Sequence, residues 1–191
     1  ITINTLFPEK NNFNELQISY LYGDVRNIPF KGNSFDAITC ISMLEHLDMD
    51  NYSIYNSKGI YKSPNNGIYH KKNSISRLKK INSLIRIFMN LLKNEGCLYI
   101  TFPVGNPIVT PWMQIFEIED LDILLDKIIY KEKNIEFFTR KDQKYWYKTS
   151  NKKILKNSKY NSAIDFNKDS EKDYYSYWPG AESVCCLHIV K

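Results

Sequence analysis

Gly23-Asp24-Val25-Arg26-Asn27-Ile28-Pro29-Phe30, closely followed by Ser34-Phe35-Asp36-Ala37-Ile38-Thr39-Cys40-Ile41-Ser42-Met43-Leu44-Glu45-His46-Leu47, is the stretch that decides the fold. The residues before it, Leu16 to Tyr22, read as a strand that stops at a Gly-Asp turn, and Pro29-Phe30 marks a loop. Phe35 to Ile41 is a second strand, too apolar to be half exposed, as expected of an inner strand covered on both faces. Ser42 to Leu47 then opens a polar helical turn. Strand, acidic turn, buried strand and helix start form the pattern in which an open α/β sheet presents binding groups at the carboxyl ends of its strands.

Working outward, Ile1 to Leu6 alternates apolar and polar residues and ends at Phe7-Pro8, a short strand and a turn. Residues 49–73 interleave turn formers with tyrosines and show no clear period, which fits either a lid or a solvated insertion. Ser74 to Leu92 is the best helix. Ile75, Leu78, Ile81, Ile85, Phe88, Met89 and Leu92 recur at three- and four-residue spacing, Ser74 is the expected cap, and Asn94 to Gly96 the stop. A strand is expected over Cys97 to Phe102, an amphipathic helix over Glu117 to Ile129, and strands over Ile135 to Thr139 and Ser183 to Val190. Residues 140–178, rich in Lys, Asn, Tyr and Ser, read as irregular and peripheral. The order implies one α/β domain over residues 1–191 with an antiparallel hairpin at its end.

Composition narrows the function classes. Hydrophobic residues make up 43% and charged residues 25%, which is an ordinary globular balance and not a disordered one. The net charge of +5, from 26 basic and 21 acidic side chains, is scattered among asparagines and tyrosines, so a nucleic-acid surface is disfavoured. No apolar run approaches the ~20 residues of a membrane span. The four cysteines show no metal-ligand spacing, so no metal site is expected, and they read as small apolar residues of a reducing, cytoplasmic setting.

Three of these motifs carry a family resemblance: Gly23-Asp24 with Ile28-Pro29-Phe30, Ser34-Phe35-Asp36 before the apolar run, and Glu45-His46 after it. Leu92-Lys93-Asn94-Glu95-Gly96 between helix and strand adds a fourth, with Asn94 and Glu95 where the family has Pro and Gly. The sequence resembles the class I (Rossmann-like) S-adenosylmethionine-dependent methyltransferases over residues 1–125. The resemblance implies a three-layer α/β sandwich with a mostly parallel sheet and an antiparallel closing strand. The family's first strand and Gly-rich loop are missing from this stretch and are expected upstream of Ile1.

The resemblance also implies site residues. Asp24 and the Val25 N–H would read the adenine of S-adenosylmethionine, and Asn4, where the family carries an acid, would hold the ribose hydroxyls. Cys40 and Ser42 would face the methionine part, with capping of the next turn as the alternative for Ser42 and a core position for the neighbouring Ile41. Glu45 and His46 are the candidate catalytic pair, because an imidazole titrating near neutrality can take a proton from an acceptor. The implied activity is methyl transfer to a small-molecule or glycan-type acceptor. The alternatives are a non-catalytic binding module of the same fold and, less favoured, a nucleic-acid methyltransferase. Gly105-Asn106-Pro107 does not support the last, since Ile108 stands where a second Pro and an aromatic are required.

Overall fold

The computed structural model describes residues 1–5, 14–27, 29–49, 74–109, 113–140, 145–161 and 180–191. Nearly all of the expected lid at 49–73, and residues 141–144 and 162–178 of the expected peripheral stretch, lie outside these.

Two short strands open the chain, β1 (Thr2–Thr5) and β2 (Ser19–Tyr22), and they pair in parallel from Thr2↔Ser19 to Thr5↔Tyr22. A five-stranded sheet follows in the order β3-β4-β9-β5-β6. Its strands are β3 (Phe35–Ile41), β4 (Leu92–Pro103), β5 (Glu132–Arg140), β6 (Trp146–Lys148) and β9 (Ser183–Val190). β3 and β4 are parallel, whereas β9 runs antiparallel to both β4 and β5, and β6 runs antiparallel to β5. The expected mostly parallel sheet is thus only partly parallel: β1–β2 and β3–β4 pair in parallel, whereas the closing strand β9, antiparallel as expected, inserts between β4 and β5 and makes the remaining pairings of the five-stranded sheet antiparallel. A two-residue ribbon, β7 (Tyr160–Asn161) with β8 (Gly180–Ala181), stands apart.

Helix α1 (Ile75–Leu91) forms where the three–four spacing predicts, and the Ser74 side chain accepts the Arg77 N–H at 3.2 Å as its cap. Its buried stripe, Leu78, Ile81, Leu84, Ile85, Phe88 and Met89, meets Leu98, Ile100 and Phe102 of β4 and Cys185, Leu187 and Ile189 of β9 in one core. Each such side chain contributes about 1.5–3 kcal/mol by leaving water. α2 (Asp120–Leu124) and α3 (Lys152–Asn157) send Leu121, Leu124 and Leu155 to the same cluster. Burial along β9 alternates strictly, with Ser183, Cys185, Leu187 and Ile189 buried and their neighbours half-buried, as a sheet covered on one face requires.

Several sequence expectations change here. β3 is not covered on both faces: Asp36, Ala37, Thr39 and Ile41 are exposed, Ile41 by 60%. The cause is position, since among the described residues β3 pairs only with β4 and forms the edge of its sheet. Ile41 is therefore not a core residue. The amphipathic segment at 117–129 is helical only over five residues: Leu125 already leaves helical geometry (φ −104°, ψ 4°), and Lys127 follows with a left-handed φ of 54°. The stretch 140–178, read as irregular, contains β6, α3 and half of the β7–β8 ribbon. Finally, α1 gives way directly to β4, and the left-handed residue there is Glu95 (φ 63°), not Gly96. Gly96 is needed for closeness instead: a Cβ on it would meet the Lys93 carbonyl at 2.9 Å and the Asp36 carbonyl of β3 at 3.2 Å.

Candidate functional site

The carboxyl ends of β2 and β3 lie side by side, held by charge. Arg26, in the 3-10 turn Val25–Asn27 after β2, donates through Nε to both Asp24 oxygens at 2.9 and 3.0 Å. Through Nη1 it also reaches Asp48, which lies just beyond the 3-10 turn Leu44–His46 after β3, at 2.5 Å. Asp48 in turn accepts Lys80 Nζ of α1 at 2.8 Å. The result is a chain of alternating charge, Asp24–Arg26–Asp48–Lys80, that ties the β1–β2 pair to the main body. Hydrogen bonding from Arg26 lowers the Asp24 pKa, that from Lys80 lowers the Asp48 pKa, and the two carboxylates raise that of Arg26.

Asp24 is thus an ionised acceptor at a strand end. The Arg26 N–H also donates to Asp24 Oδ1 at 2.9 Å. Arg26 Nη2 reaches Oδ2 as well, so four contacts fall on a carboxylate that offers about four lone-pair sites, and a ligand N–H has to share them with Arg26. The Val25 N–H opens the same turn, where helical N–H groups have no partner inside the turn, while its side chain packs against the core. Asn4 is positioned differently from the role the resemblance implies. Its Nδ2 donates to the carbonyls of Leu21 and Gly23, each at 3.1 Å, and so clasps β1 to the end of β2. An acid at this position would have no N–H to donate to these two carbonyls. Only Oδ1 of Asn4 remains to meet a ligand.

At the end of β3, Cys40 is buried, and burial pushes its thiol pKa up to about 12, so it stays protonated core material. Ser42 takes a left-handed φ of 47°, and its N–H donates to the Thr101 carbonyl at 3.0 Å and to Thr101 Oγ1 at 3.2 Å. It does not cap the following turn, whose cap residue is Met43 without a side-chain bond. Its hydroxyl instead hydrogen-bonds the Glu45 carboxyl.

Glu45 and His46 part company. His46 is half-buried, whereas Glu45 is only 5% exposed. Burial raises the Glu45 pKa to about 7, and its Oε2 has no hydrogen-bond partner among the described residues. Beside it stands a residue that the sequence reading missed. Gln114 is fully buried, donates its N–H to the Glu45 carbonyl at 3.0 Å, and leaves its own Oε1 without a partner. A loop glutamine between two apolar residues gives no sequence signal, because its burial depends on the 104–116 loop folding back through the Val104↔Phe116 and Val109↔Gln114 bridges.

These groups share one rim. β4 runs parallel to β3, and β5 runs parallel to β4 because both oppose β9. The ends of β3, β4 and β5 and the start of β9 therefore meet at the same edge, beside Asp24. Among the described residues no cluster of His, Cys, Asp or Glu could hold a metal ion, and no helix is long and apolar enough to cross a membrane.

Comparison with known proteins bears on the part of the chain that builds this rim. Residues 4–57 match the family model described as methyltransferase domain. No curated protein sequence matches the chain. Among solved structures, the chain is similar to a SAM-dependent methyltransferase from Thermotoga maritima, at 13% identity and a TM-score of 0.45, covering 93% of this chain and 66% of that one. It is also similar to a SAM-dependent methyltransferase from Archaeoglobus fulgidus, at 14% identity and TM-score 0.47, covering 100% and 75%. A third is phosphoethanolamine N-methyltransferase 2 of Haemonchus contortus, in complex with phosphomonomethylethanolamine and S-adenosylhomocysteine. Its identity is 14% and TM-score 0.43, covering 92% of this chain and 38% of that one. The chain thus spans just under two thirds of the first of these and well under half of the third.

Proposed function

We propose that the protein, whose residues 4–57 match the model described as methyltransferase domain, transfers a methyl group from S-adenosylmethionine to a small-molecule or glycan-type acceptor. The observation that carries this reading is the shared rim. An ionised Asp24 at the end of β2 and a buried Glu45 beyond the end of β3 stand on two turns that the Arg26–Asp48 pair ties together.

In this reading Asp24 accepts the exocyclic N–H of adenine and the Val25 N–H donates to a ring nitrogen, while Asn4 Oδ1 meets a ribose hydroxyl. Cys40 and Ser42 line the methionine side through their backbone. The sulfonium supplies an activated methyl group, and most of the acceleration comes from holding the acceptor in line with it. Glu45, buried and poised near neutrality, and the half-buried His46 are the groups that take a proton where the acceptor must lose one.

A second reading, a non-catalytic module of the same fold, is favoured by one observation: Arg26 occupies both Asp24 oxygens and β2 carbonyls occupy the Asn4 amide donors. One experiment separates the two. Calorimetric titration of the full-length protein with S-adenosylmethionine and S-adenosylhomocysteine is expected to give saturable binding that Asp24→Ala weakens at least tenfold. If neither molecule binds the unaltered protein, methyl transfer is wrong and the second reading stands.

A further inference from the structure

We propose that the buried side-chain oxygens of Glu45 and Gln114 form a recognition site for N–H groups, so that the methyl acceptor is a small amine bound as its ammonium ion. That the bound amine is the methyl acceptor rests on the function proposed above, whereas the site itself stands on these two residues.

Burial without a partner is the observation that carries the site. Glu45 is 5% exposed and Gln114 fully buried, yet Oε2 of the first and Oε1 of the second have no hydrogen-bond partner. Buried polar atoms are nearly always paired, because an unmade bond leaves their desolvation uncompensated. Both orphans are acceptors, so what each lacks is a donor. The surrounding backbone holds them in place. The Gln114 N–H donates to the Glu45 carbonyl at 3.0 Å, and the next N–H, that of Ile115, donates to the Ile108 carbonyl at 2.8 Å. Gln114 Nε2 approaches the Leu44 carbonyl at 3.5 Å, which makes Oε1 the free end of the amide. The Ser42 hydroxyl holds the Glu45 carboxyl, and Oε2 is left over.

The charge of the missing donor follows from what surrounds the carboxyl. Among the described residues no lysine or arginine pairs with Glu45. Its neighbours are the Ser42 hydroxyl, its own backbone N–H and the Cys40 thiol, which burial keeps protonated. A buried carboxylate is stabilised when a cation meets it with N–H donors. An ammonium group supplies both, giving its charge and one N–H to Glu45 and a second N–H to the Gln114 amide oxygen. Gln114 is neutral, so it adds direction without adding charge. A hydroxyl carries one proton and no charge, and would leave one of the two oxygens unpaired. The place suits an acceptor. Glu45 stands in the turn after β3 and Gln114 in the loop after β4, so both belong to the rim that carries Asp24.

The test is a titration of the full-length protein, carrying ¹³C-labelled glutamate and glutamine, with methylammonium, tetramethylammonium and methanol at constant ionic strength. It is run at pH 8, where the Glu45 carboxyl is largely ionised. The side-chain carbonyl carbons of Glu45 and Gln114 report binding. Saturable shifts of both are expected with methylammonium. Affinity should be at least tenfold lower for tetramethylammonium, which has the charge without an N–H, and for methanol, which has one O–H and no charge. Glu45→Gln and Gln114→Met nearly keep the side-chain volumes and should each weaken methylammonium binding at least tenfold. The comparison of probes on the unaltered protein needs no variant, so it decides the matter even where Gln114→Met fails to fold. Shifts that never saturate, tetramethylammonium or methanol binding as tightly as methylammonium, or unchanged affinity in a folded Gln114→Met would overturn the site. S-adenosylmethionine binding is measured on the same samples: ammonium binding without it removes methyl transfer alone, and the converse removes the amine site alone.

Discussion

Glu45 concentrates the residue-scale physics of this protein. Its carboxyl is buried beside a protonated Cys40 thiol and a fully buried Gln114, and burial raises its pKa from 4.5 to about 7. An acid with a folded pKa above its unfolded one binds more protons folded than unfolded between those two values. Its contribution is therefore complete below pH 4.5 and is lost as pH rises through 7. The loss is on the order of 3 kcal/mol across that window. Thermal denaturation from pH 5 to pH 8 should show Tm falling, and Glu45→Gln should flatten that slope. Asp24 and Asp48 act in the other direction, their stabilisation being lost only as pH falls through their lowered pKa values. A Tm that is level between pH 5 and 8 in the unaltered protein would mean that Glu45 finds a donor that lowers its pKa.

At the scale of elements, the junction between α1 and β4 separates two kinds of sequence signal. Ser74 caps α1 through one hydrogen bond to the Arg77 N–H, and Ser74→Ala should cost about 1 kcal/mol. Gly96 carries a different constraint, since a methyl group there meets the Lys93 carbonyl, Leu92 Cδ2 and the Asp36 carbonyl within 3.2 Å. Gly96→Ala forces β4 away from β3 and should cost roughly 1–3 kcal/mol, more than the cap. Urea denaturation of both variants checks the order, and a smaller loss for Gly96→Ala would show that the junction yields. The cap was legible because it is local, whereas the helix ends at Leu91, before the expected stop at Asn94 to Gly96, because β4 takes up the chain at Leu92. The closeness at Gly96 was not legible, because it is set by a strand some sixty residues away in sequence.

At the scale of the molecule, two parallel pairs, β1–β2 and β3–β4, are joined through side chains and not through a shared ladder among the described residues. Arg26 carries the charged part of that junction, beside the Val25 side chain that packs on the core. Exposed ion pairs are worth about 0–1 kcal/mol each, so its removal should loosen the β1–β2 pair without unfolding the core. In Arg26→Met, amide exchange across β1 and β2 should quicken about fivefold while α1 and β9 are unchanged. Uniform acceleration would place Arg26 in the global stability instead. The exposure of Ile41 and the stacking of Tyr99 on His188, 4.7 Å between ring centres, belong to this scale too. Both lie on the sheet face that the described helices leave open.

Local and periodic features were readable along the chain: β3 and β9 to the residue, α1 with its cap, the Gly-Asp turn, and the antiparallel run of the closing strand. The match of residues 4–57 to the methyltransferase domain model likewise lies in motifs a few residues long. Tertiary structure alone decided which of those groups face one another. It turned Asn4 into a clasp, separated Glu45 from His46, brought Gln114 against Glu45, and put an apolar strand at a sheet edge. Each of these depends on contacts between distant segments, where burial and available donors are set by neighbours that no short stretch of sequence contains.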